Sequence, residues 1–222
     1  MAAALPLARD GTTAGSQPTG SVDVTAGRIW LIRHGETQWS REGRHTGRTD
    51  VALTPLGEQQ ADELRTELAG VRPSLVLCSP LTRARETARR AGLVPDALTE
   101  ALREWDYGAW EGRTTADIRV ELQDPGWLIW AHPIPAGATP GEQLDEVGAR
   151  VDAVIGQCRP VIETGGDCVL VAHGHVLRIL TARWLGLPPI DGRLFALDPA
   201  RLSALGFEHE QHVITSWNSA RP

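Results

Sequence analysis

The chain has 222 residues and a formal net charge of −6, which argues against general nucleic-acid binding because such binding needs a basic surface. Its 22 basic residues are all arginines, so Schiff-base chemistry and a phosphate-binding P-loop lysine are excluded. No segment approaches the ~18 apolar residues of a membrane span, and no secretory leader is predicted. We therefore expect a cytoplasmic protein with no membrane or nucleic-acid partner.

Residues 1–27 differ in composition from the rest of the chain. They contain few large apolar side chains, so they cannot offset the entropy that they would lose on ordering. We predict a mobile tail over residues 1–27 and one domain over residues 28–222, which is long enough for a well-buried core. The cysteines form neither a paired framework nor a CxxC ligand set, in accord with a reducing compartment; they are Cys78, Cys158 and Cys168.

The first predicted strand covers residues 28–32 and ends on Arg33 and His34. In an open α/β sheet, ligands bind beyond the carboxyl ends of the strands, and Gly35 lets the backbone leave the strand sharply. A guanidinium binds phosphate oxygens bidentately, and a neutral imidazole can attack phosphorus. A solvent-exposed pair explains these two residues equally well, so a phosphate site needs support from other parts of the chain.

Two further strand–turn–helix units follow. A strand at residues 75–78 leads into a helix over residues 81–91 that carries Arg83 in its first turn, and a strand at residues 169–171 leads through His173 into a helix. The other predicted helices are a turn near Trp39, a helix that begins at Pro55 with Thr54 as its cap, a short helix ending at Leu122 and a long amphipathic helix over residues 141–164.

This alternation of strands and helices predicts an α/β fold. We expect a three-layer sandwich with a mostly parallel central sheet, helices on both faces and a small cap of loops and short helices. Short strands at residues 194–197, 202–207 and 213–217 complete the sheet as a meander or an antiparallel edge. The polar residues at the strand ends then meet in one pocket: Arg33, His34, Arg83 and His173, with Glu104 on the loop above it.

Four motifs resemble those of the histidine phosphatase superfamily, also called phosphoglycerate mutase-like. They are Leu-Ile-Arg-His-Gly-Glu-Thr from Leu31, Ser-Pro-Leu-Thr-Arg-Ala-Arg-Glu-Thr from Ser79, Leu-Arg-Glu-Trp-Asp-Tyr-Gly from Leu102 and Val-Ala-His-Gly-His from Val171. The resemblance runs from about Arg28 to Trp217, and four ordered motifs are far more specific than one. The chain is most similar to bacterial mutase-like acid phosphatases and to sugar-bisphosphate phosphatases of that superfamily.

The resemblance implies a two-step phosphoryl transfer. His34 forms a phosphohistidine, while Arg33, Arg83 and His173 bind the three non-bridging oxygens. These groups do the electrostatic work of a magnesium ion, so neither a metal nor another cofactor is expected. Glu104 gives a proton to the leaving oxygen and later takes one from water. A phosphate dianion beside Glu104 favours the protonated acid, which predicts a rate that is highest at mildly acidic pH.

The resemblance also implies minor roles for four residues. Thr46 matches a position whose backbone or hydroxyl contacts the phosphoryl group, and Gly174 is grouped with it among the phosphate-binding residues. Ser40 is assigned to the same group, although the mutases usually have an asparagine there. His175 resembles a variant of its turn, and we expect it behind the residues that contact substrate.

Other side chains have two open explanations. Three residues can bind a second acidic group of the substrate or be exposed on a loop: Arg44, His45 and Arg48. The tryptophans of the cap can form a wall against the substrate or pack the cap onto the sheet: Trp105, Trp110, Trp127 and Trp130. His209, Glu210 and His212 invite a metal interpretation, but the alternation of side chains in a strand does not place all three on one face, so we expect a surface strand.

Three functions remain open. Mutases of this type carry a basic segment after the Tyr-Gly motif, whereas residues 111–143 contain only Arg113 and Arg119 as fixed positive charges. We therefore favour hydrolysis of a small-molecule phosphomonoester, such as a sugar phosphate, over phosphoglycerate mutase activity. The third function is a catalytically silent phosphate-binding or scaffold protein, against which the complete motifs argue. We expect a monomer or a homodimer.

Overall fold

A six-stranded sheet in the order β3-β2-β4-β1-β5-β6 forms the centre of the molecule. The computed structural model describes residues 26–219. The strands are β1 (Ile29–Arg33), β2 (Pro73–Cys78), β3 (Ala97–Leu98), β4 (Asp167–Ala172), β5 (Leu202–Glu208) and β6 (Gln211–Ser219). β1 to β4 run parallel, whereas β5 and β6 are antiparallel and form one edge. The prediction of a mostly parallel sheet with an antiparallel edge is confirmed.

Helices cover both faces of the sheet, as predicted. They are α1 (Gln38–Arg41), α2 (Pro55–Glu67), α3 (Thr82–Arg90), α4 (Thr115–Leu122), α5 (Leu144–Glu163) and α6 (Gly174–Trp184). Leu64 of α2 and Ala84 of α3 share one buried cluster with Val171 of β4. Val151 of α5 and Leu177 of α6 belong to a larger cluster on the other face. The alternation of side chains along the buried strands therefore supplies two cores, one for each helical layer.

The helix starts follow the local signals in the sequence. The Thr54 hydroxyl accepts a hydrogen bond from the Gly57 N–H at 3.0 Å, and Pro55 occupies the first turn of α2. Thr114 and Asp117 form a reciprocal capping box on α4. These caps satisfy N–H groups that have no partner within their own helix, which explains why both boundaries can be predicted from sequence.

The register of the parallel strands places three strand ends at one level. Arg33 pairs with Ala172, and the N–H groups of His34 and Ser79 continue the pattern by donating to Ala172 and Val171, each at 2.9 Å. His173 follows β4 directly. The sheet itself therefore brings the chain ends that bear His34, Ser79 and His173 to the same edge.

The cap lies between β3 and α5 and consists of α4 with short 3₁₀ turns at Glu100–Leu102, Gly108–Trp110 and Ile129–Ala131. Its tryptophans are at most 8% exposed and belong to the same buried cluster as the side chains of α5 and α6: Trp105, Trp110, Trp127 and Trp130. Of the two explanations, packing of the cap onto the sheet is therefore the one that the structure supports.

Two predicted strands are wrong. Residues 194–197 follow a 3₁₀ turn at Pro189–Leu194 and join no strand, and the Leu197 carbonyl accepts from the Arg33 guanidinium. His209 and Glu210 form the turn between β5 and β6, where His209 adopts a positive φ of 54°. The alternation argument for that segment therefore fails, although the described residues contain no metal-binding cluster.

Of the predicted N-terminal tail, only Ala26 and Gly27 belong to the described residues. Gly27 is buried, and its N–H donates to the Ile162 carbonyl at 2.8 Å, so the packed chain includes this residue.

Within residues 26–219, no helix combines the length and the apolar character needed to span a bilayer.

Candidate active site

His34 is held as a neutral imidazole at the end of β1. Its Nδ1 lies 2.7 Å from the Gly35 carbonyl, which can only accept, so the ring proton sits on Nδ1 and the lone pair on Nε2. Burial lowers the pKa of His34 well below 6.5, and the charges of Arg83 and Arg33 lower it further. An unprotonated Nε2 is the state that a nucleophile requires.

Gly35 fixes His34 through close packing. A Cβ at this position would lie 2.3 Å from the Gly57 carbonyl of α2, and the Gly35 N–H donates to the Thr87 hydroxyl of α3. Its φ is not in the left-handed region, so the predicted reason, a sharp exit from the strand, is not the one observed. The backbone that carries His34 is therefore clamped directly between β1, α2 and α3.

The Arg33 guanidinium lies against Gly174 at the start of α6. A Cβ on Gly174 would approach the Arg33 Cζ to 3.3 Å. One Arg33 terminal nitrogen donates to the Leu197 carbonyl, whereas its Nε is buried with no partner among the described residues. A buried guanidinium N–H without an acceptor is costly, so this group is suited to an anionic ligand.

Arg83 and His173 form the floor of the site. Arg83 is fully buried, and its Nε–H donates to the His173 Nδ1 at 3.1 Å. The His173 Nε2 therefore carries the proton and donates to the Ser79 hydroxyl at 2.7 Å. Burial first, and then the charge of Arg83, lowers the pKa of His173 well below 6.5. His173 is neutral, and the rings of His173 and His34 are 5.1 Å apart.

Glu104 binds the N-terminus of α6. Its two carboxylate oxygens accept from the N–H groups of Trp105, His175 and Val176 at 2.9–3.0 Å. The N–H groups of His175 and Val176 belong to the first turn of α6, where the helix dipole favours an acidic side chain. Glu104 is 6% exposed, so it is fixed by the backbone of both the cap and α6.

A cavity of about 250 Å³ collects these groups. Arg33, His34 and Glu104 line the cavity. Arg83 and His173, which form the floor of the site, are buried and do not line it. The other lining residues are Ser40, Gly43, Arg44, His45, Thr46, Tyr107, Gly174, His175, Arg178 and Leu197. The structure thus brings together all five residues expected to be catalytic, three at the surface of the cavity and two beneath it.

The minor candidates also reach the cavity, but their side-chain oxygens have local partners. The Ser40 hydroxyl belongs to the capping box of α1 with Thr37. The Thr46 hydroxyl donates to the Arg44 carbonyl, and the Thr46 carbonyl accepts from Arg83. The backbone of Thr46 therefore supports the Arg83 guanidinium.

The loop cations are largely neutralised. Arg44 pairs with Glu42, and Arg48 lies 3.5 Å from Asp106 and outside the cavity lining. Burial lowers the pKa of His45 to about 4, so its ring is neutral near pH 7. These residues offer little positive charge for a second acidic group.

Sequence reasoning missed Tyr107, Arg178 and Leu197, and it placed His175 behind the contact residues, whereas its ring lines the cavity. The Tyr107 hydroxyl and the His175 Nδ1 share a hydrogen bond. Burial raises the pKa of Tyr107 well above 10, so this hydroxyl stays protonated. A signal was present in the spacing, since His175 and Arg178 are three residues apart on one helix and therefore share a face.

Comparison with known proteins gives a consistent result. The family model "Histidine phosphatase superfamily (branch 1)" matches residues 29–220. An acid phosphatase of Mycobacterium tuberculosis is 42% identical over 82% of this chain and 87% of its own. A probable phosphoglycerate mutase of Enterobacter is 32% identical over 86% of this chain and 89% of its own.

The solved structures agree with the sequence comparison. A Mycobacterium tuberculosis protein superposes with a TM-score of 0.80 at 38% identity, over 86% of this chain and 97% of that one. The match to the family model covers every strand and helix described above, including the strand ends that carry His34 and His173. The chain belongs to the histidine phosphatase superfamily, in its first branch.

Proposed function

We propose that the protein is a metal-independent phosphomonoesterase that hydrolyses a small phosphorylated metabolite through a phosphohistidine on His34. The observation that carries this proposal is the pairing of an unprotonated His34 Nε2 with the Arg33 guanidinium in the lining of one cavity. A nucleophile beside a fixed cation suits attack on a phosphate ester. The 42% identical acid phosphatase supports the same reaction class.

In the first step, the His34 Nε2 forms a bond to phosphorus while the bond to the ester oxygen breaks. Glu104 protonates that oxygen as it leaves, and in the second step it accepts a proton from the water that releases phosphate. Arg33 and Gly174, which line the cavity, contact the phosphoryl oxygens. Arg83 and His173 act from the floor, where the His173 Nε2–H exchanges the Ser79 hydroxyl for a phosphoryl oxygen.

Hydrolysis is favoured over mutase activity by the charges of the cap. Arg113 pairs with Glu121, and the Arg119 Nε donates to the Trp127 carbonyl. Neither arginine lines the cavity, so the segment that is basic in mutases contributes no cation here. Without such a clamp, the product alcohol leaves and water reaches the phosphohistidine. Phosphoglycerate mutase activity is the second candidate, since a 32% identical relative bears that name.

The cavity volume indicates the size of the substrate, and the cysteines indicate the cellular compartment of the protein. A cavity of about 250 Å³ accommodates a phosphoryl group with a small alcohol, which favours a metabolite over a nucleic acid or a protein. The three cysteines are free thiols, which supports a reducing cytoplasm. We further propose one domain, which includes Gly27 and acts as a monomer or a homodimer.

A panel of phosphorylated sugars, glycerates and nucleotides, assayed for phosphate release with and without EDTA, tests the proposal. We expect turnover that EDTA leaves unchanged, and an acid-labile phosphate on His34 in rapidly quenched samples. Loss of activity with EDTA, or turnover without that adduct, would contradict the mechanism. A coupled assay for conversion of 2- to 3-phosphoglycerate separates the mutase. Phosphate binding without any turnover would indicate the silent scaffold.

A further inference from the structure

Arg178 is a second guanidinium in the cavity without an acidic partner. Three arginines line the cavity: Arg33, Arg44 and Arg178. Arg44 pairs with Glu42, whereas no Asp or Glu oxygen within residues 26–219 forms an ion pair with Arg178 at 4.0 Å or less. Its Nε and Nη2 donate to the carbonyls of Gly192 and Arg193, each at 3.1 Å, and its Nη1 has no partner in the described chain.

The guanidinium is fixed in place by its surroundings. Its Cζ lies 4.7 Å from the centre of the Trp130 ring, which is itself 8% exposed. The two carbonyl contacts tie α6 to the 3₁₀ turn at Pro189–Leu194, and they use only one edge of the planar group. Attachment of α6 to this 3₁₀ turn therefore accounts for the hydrogen bonds of the Arg178 Nε and Nη2. It leaves the N–H donors of Nη1 without a partner in the described chain.

His175 lies one helical turn before Arg178. Its Nδ1 shares a hydrogen bond with the Tyr107 hydroxyl, and its Nε2 has no partner among residues 26–219. When Tyr107 donates this bond, the imidazole proton sits on Nε2, which is then available as a second donor. Residues three apart on a helix lie about 5–6 Å apart at their Cβ atoms, so the two side chains can reach one ligand group.

We propose that Arg178 and His175 form an anion subsite that is separate from the phosphoryl site at His34 and Arg33. It takes a second acidic group, a carboxylate or another phosphate, on the alcohol portion of the substrate. The inference rests on the proposed phosphomonoesterase activity and narrows its substrate class to phosphate esters of acidic alcohols. It also moves the expected second-anion contact from the loop residues Arg44 and Arg48 to α6.

Two matched substrates test the subsite: glycerol 3-phosphate and 3-phosphoglycerate, which differ in a CH₂OH group replaced by a carboxylate. We expect the wild-type protein to show at least about 10-fold higher kcat/KM for 3-phosphoglycerate. In Arg178→Gln this preference should fall by about 10- to 100-fold, the range of a lost charge-assisted hydrogen bond. Arg178→Lys should retain part of the preference, because the charge remains.

Inorganic phosphate provides the second readout, since its competition with the ester reports on the phosphoryl site at His34 and Arg33. Its competitive inhibition constant should differ little between the wild-type protein and Arg178→Gln. Arg72→Gln is the matched control, because Arg72 is exposed and donates only to nearby carbonyls. It should change neither the substrate preference nor the inhibition constant. Thermal melting of each variant shows whether loss of the tie to residues 192 and 193 unfolds the protein.

Three results would overturn the inference. The wild-type protein shows no preference for the acidic ester, or Arg178→Gln loses activity equally on both esters, or its affinity for inorganic phosphate falls as much as its substrate preference. The last result would place Arg178 in the phosphoryl site. Failure of the proposed function looks different, because then neither ester is hydrolysed and His34 carries no phosphate.

Discussion

The two sides of the cavity are built in different ways. The floor, formed by Arg33, His34, Arg83 and His173, lies at the ends of β1 and β4 and in the first turn of α3, where the sheet register fixes the backbone. The wall, formed by Tyr107, His175 and Arg178, joins a cap loop to one face of α6. The floor is therefore as rigid as the sheet, whereas the wall depends on how the cap packs. This difference suggests that the floor determines the reaction and the wall determines the alcohol.

Replacement of His34 should cause the largest loss of activity. In His34→Ala, kcat should fall by about 10⁴-fold or more, because the substitution removes the imidazole that carries the phosphoryl group. Steady-state phosphate release measures the effect, and the acid-labile adduct should disappear with it. Residual turnover above about 1% of wild type would show that the imidazole is not the phosphoryl carrier.

Removing the proton donor should cost less than removing the nucleophile. In Glu104→Gln, kcat should fall by about 10²- to 10⁴-fold with an alkyl phosphate, and much less with 4-nitrophenyl phosphate, whose leaving group needs no proton. Equal losses on both substrates would contradict the role of proton donor.

Tyr107→Phe perturbs the wall alone. The His175 Nδ1 loses its hydrogen-bond partner, so the ring can turn or change tautomer. We expect kcat/KM for 3-phosphoglycerate to fall by about 3- to 10-fold relative to that for glycerol 3-phosphate. An unchanged ratio would mean that Tyr107 does not orient the second subsite, and a large fall on both esters would tie the wall to the chemistry.

Acid should destabilise the fold through the buried imidazoles of both sides. The pKa of His45 is about 4 in the folded protein against 6.5 when unfolded, so the unfolded chain binds more protons between these values. Stability is therefore lost as the pH falls from about 6.5 to 4. His45 alone contributes up to about 3 kcal/mol of this loss.

The burial-lowered pKa values of His34, His173 and His175 act in the same direction. Urea unfolding at pH 7 and pH 4.5 measures the loss. The control is His45→Asn, which cannot titrate and should lose about 2 kcal/mol less than the wild-type protein over this range. A variant with the same pH dependence as wild type would show that His45 does not titrate across this interval.

The contrast between floor and wall also explains what the sequence could predict. Strand ends, helix caps and glycine turns are local signals, so the layers, the antiparallel edge and the positions of His34 and His173 followed from them. The wall did not, because Tyr107 meets His175 only after the cap folds onto α6. Residues 194–197 were mistaken for a strand because of their apolar side chains, but Leu197 is buried in the core and Phe195 packs against Trp217 of β6 without strand pairing. His209 adopts a positive φ in the turn, and the hydrophobic periodicity of a sequence does not predict such a φ.

The contact between Gly35 and Gly57 has a wider consequence. Main chain meets main chain there, with no side chain as a spacer, so the depth of His34 beneath the cavity is set by the peptide backbone itself. Apolar residues of the two cores can be exchanged for others of different shape while that depth stays the same. A scaffold of this kind can acquire new alcohol specificities by changes in the cap, because the reacting nitrogen keeps its place throughout.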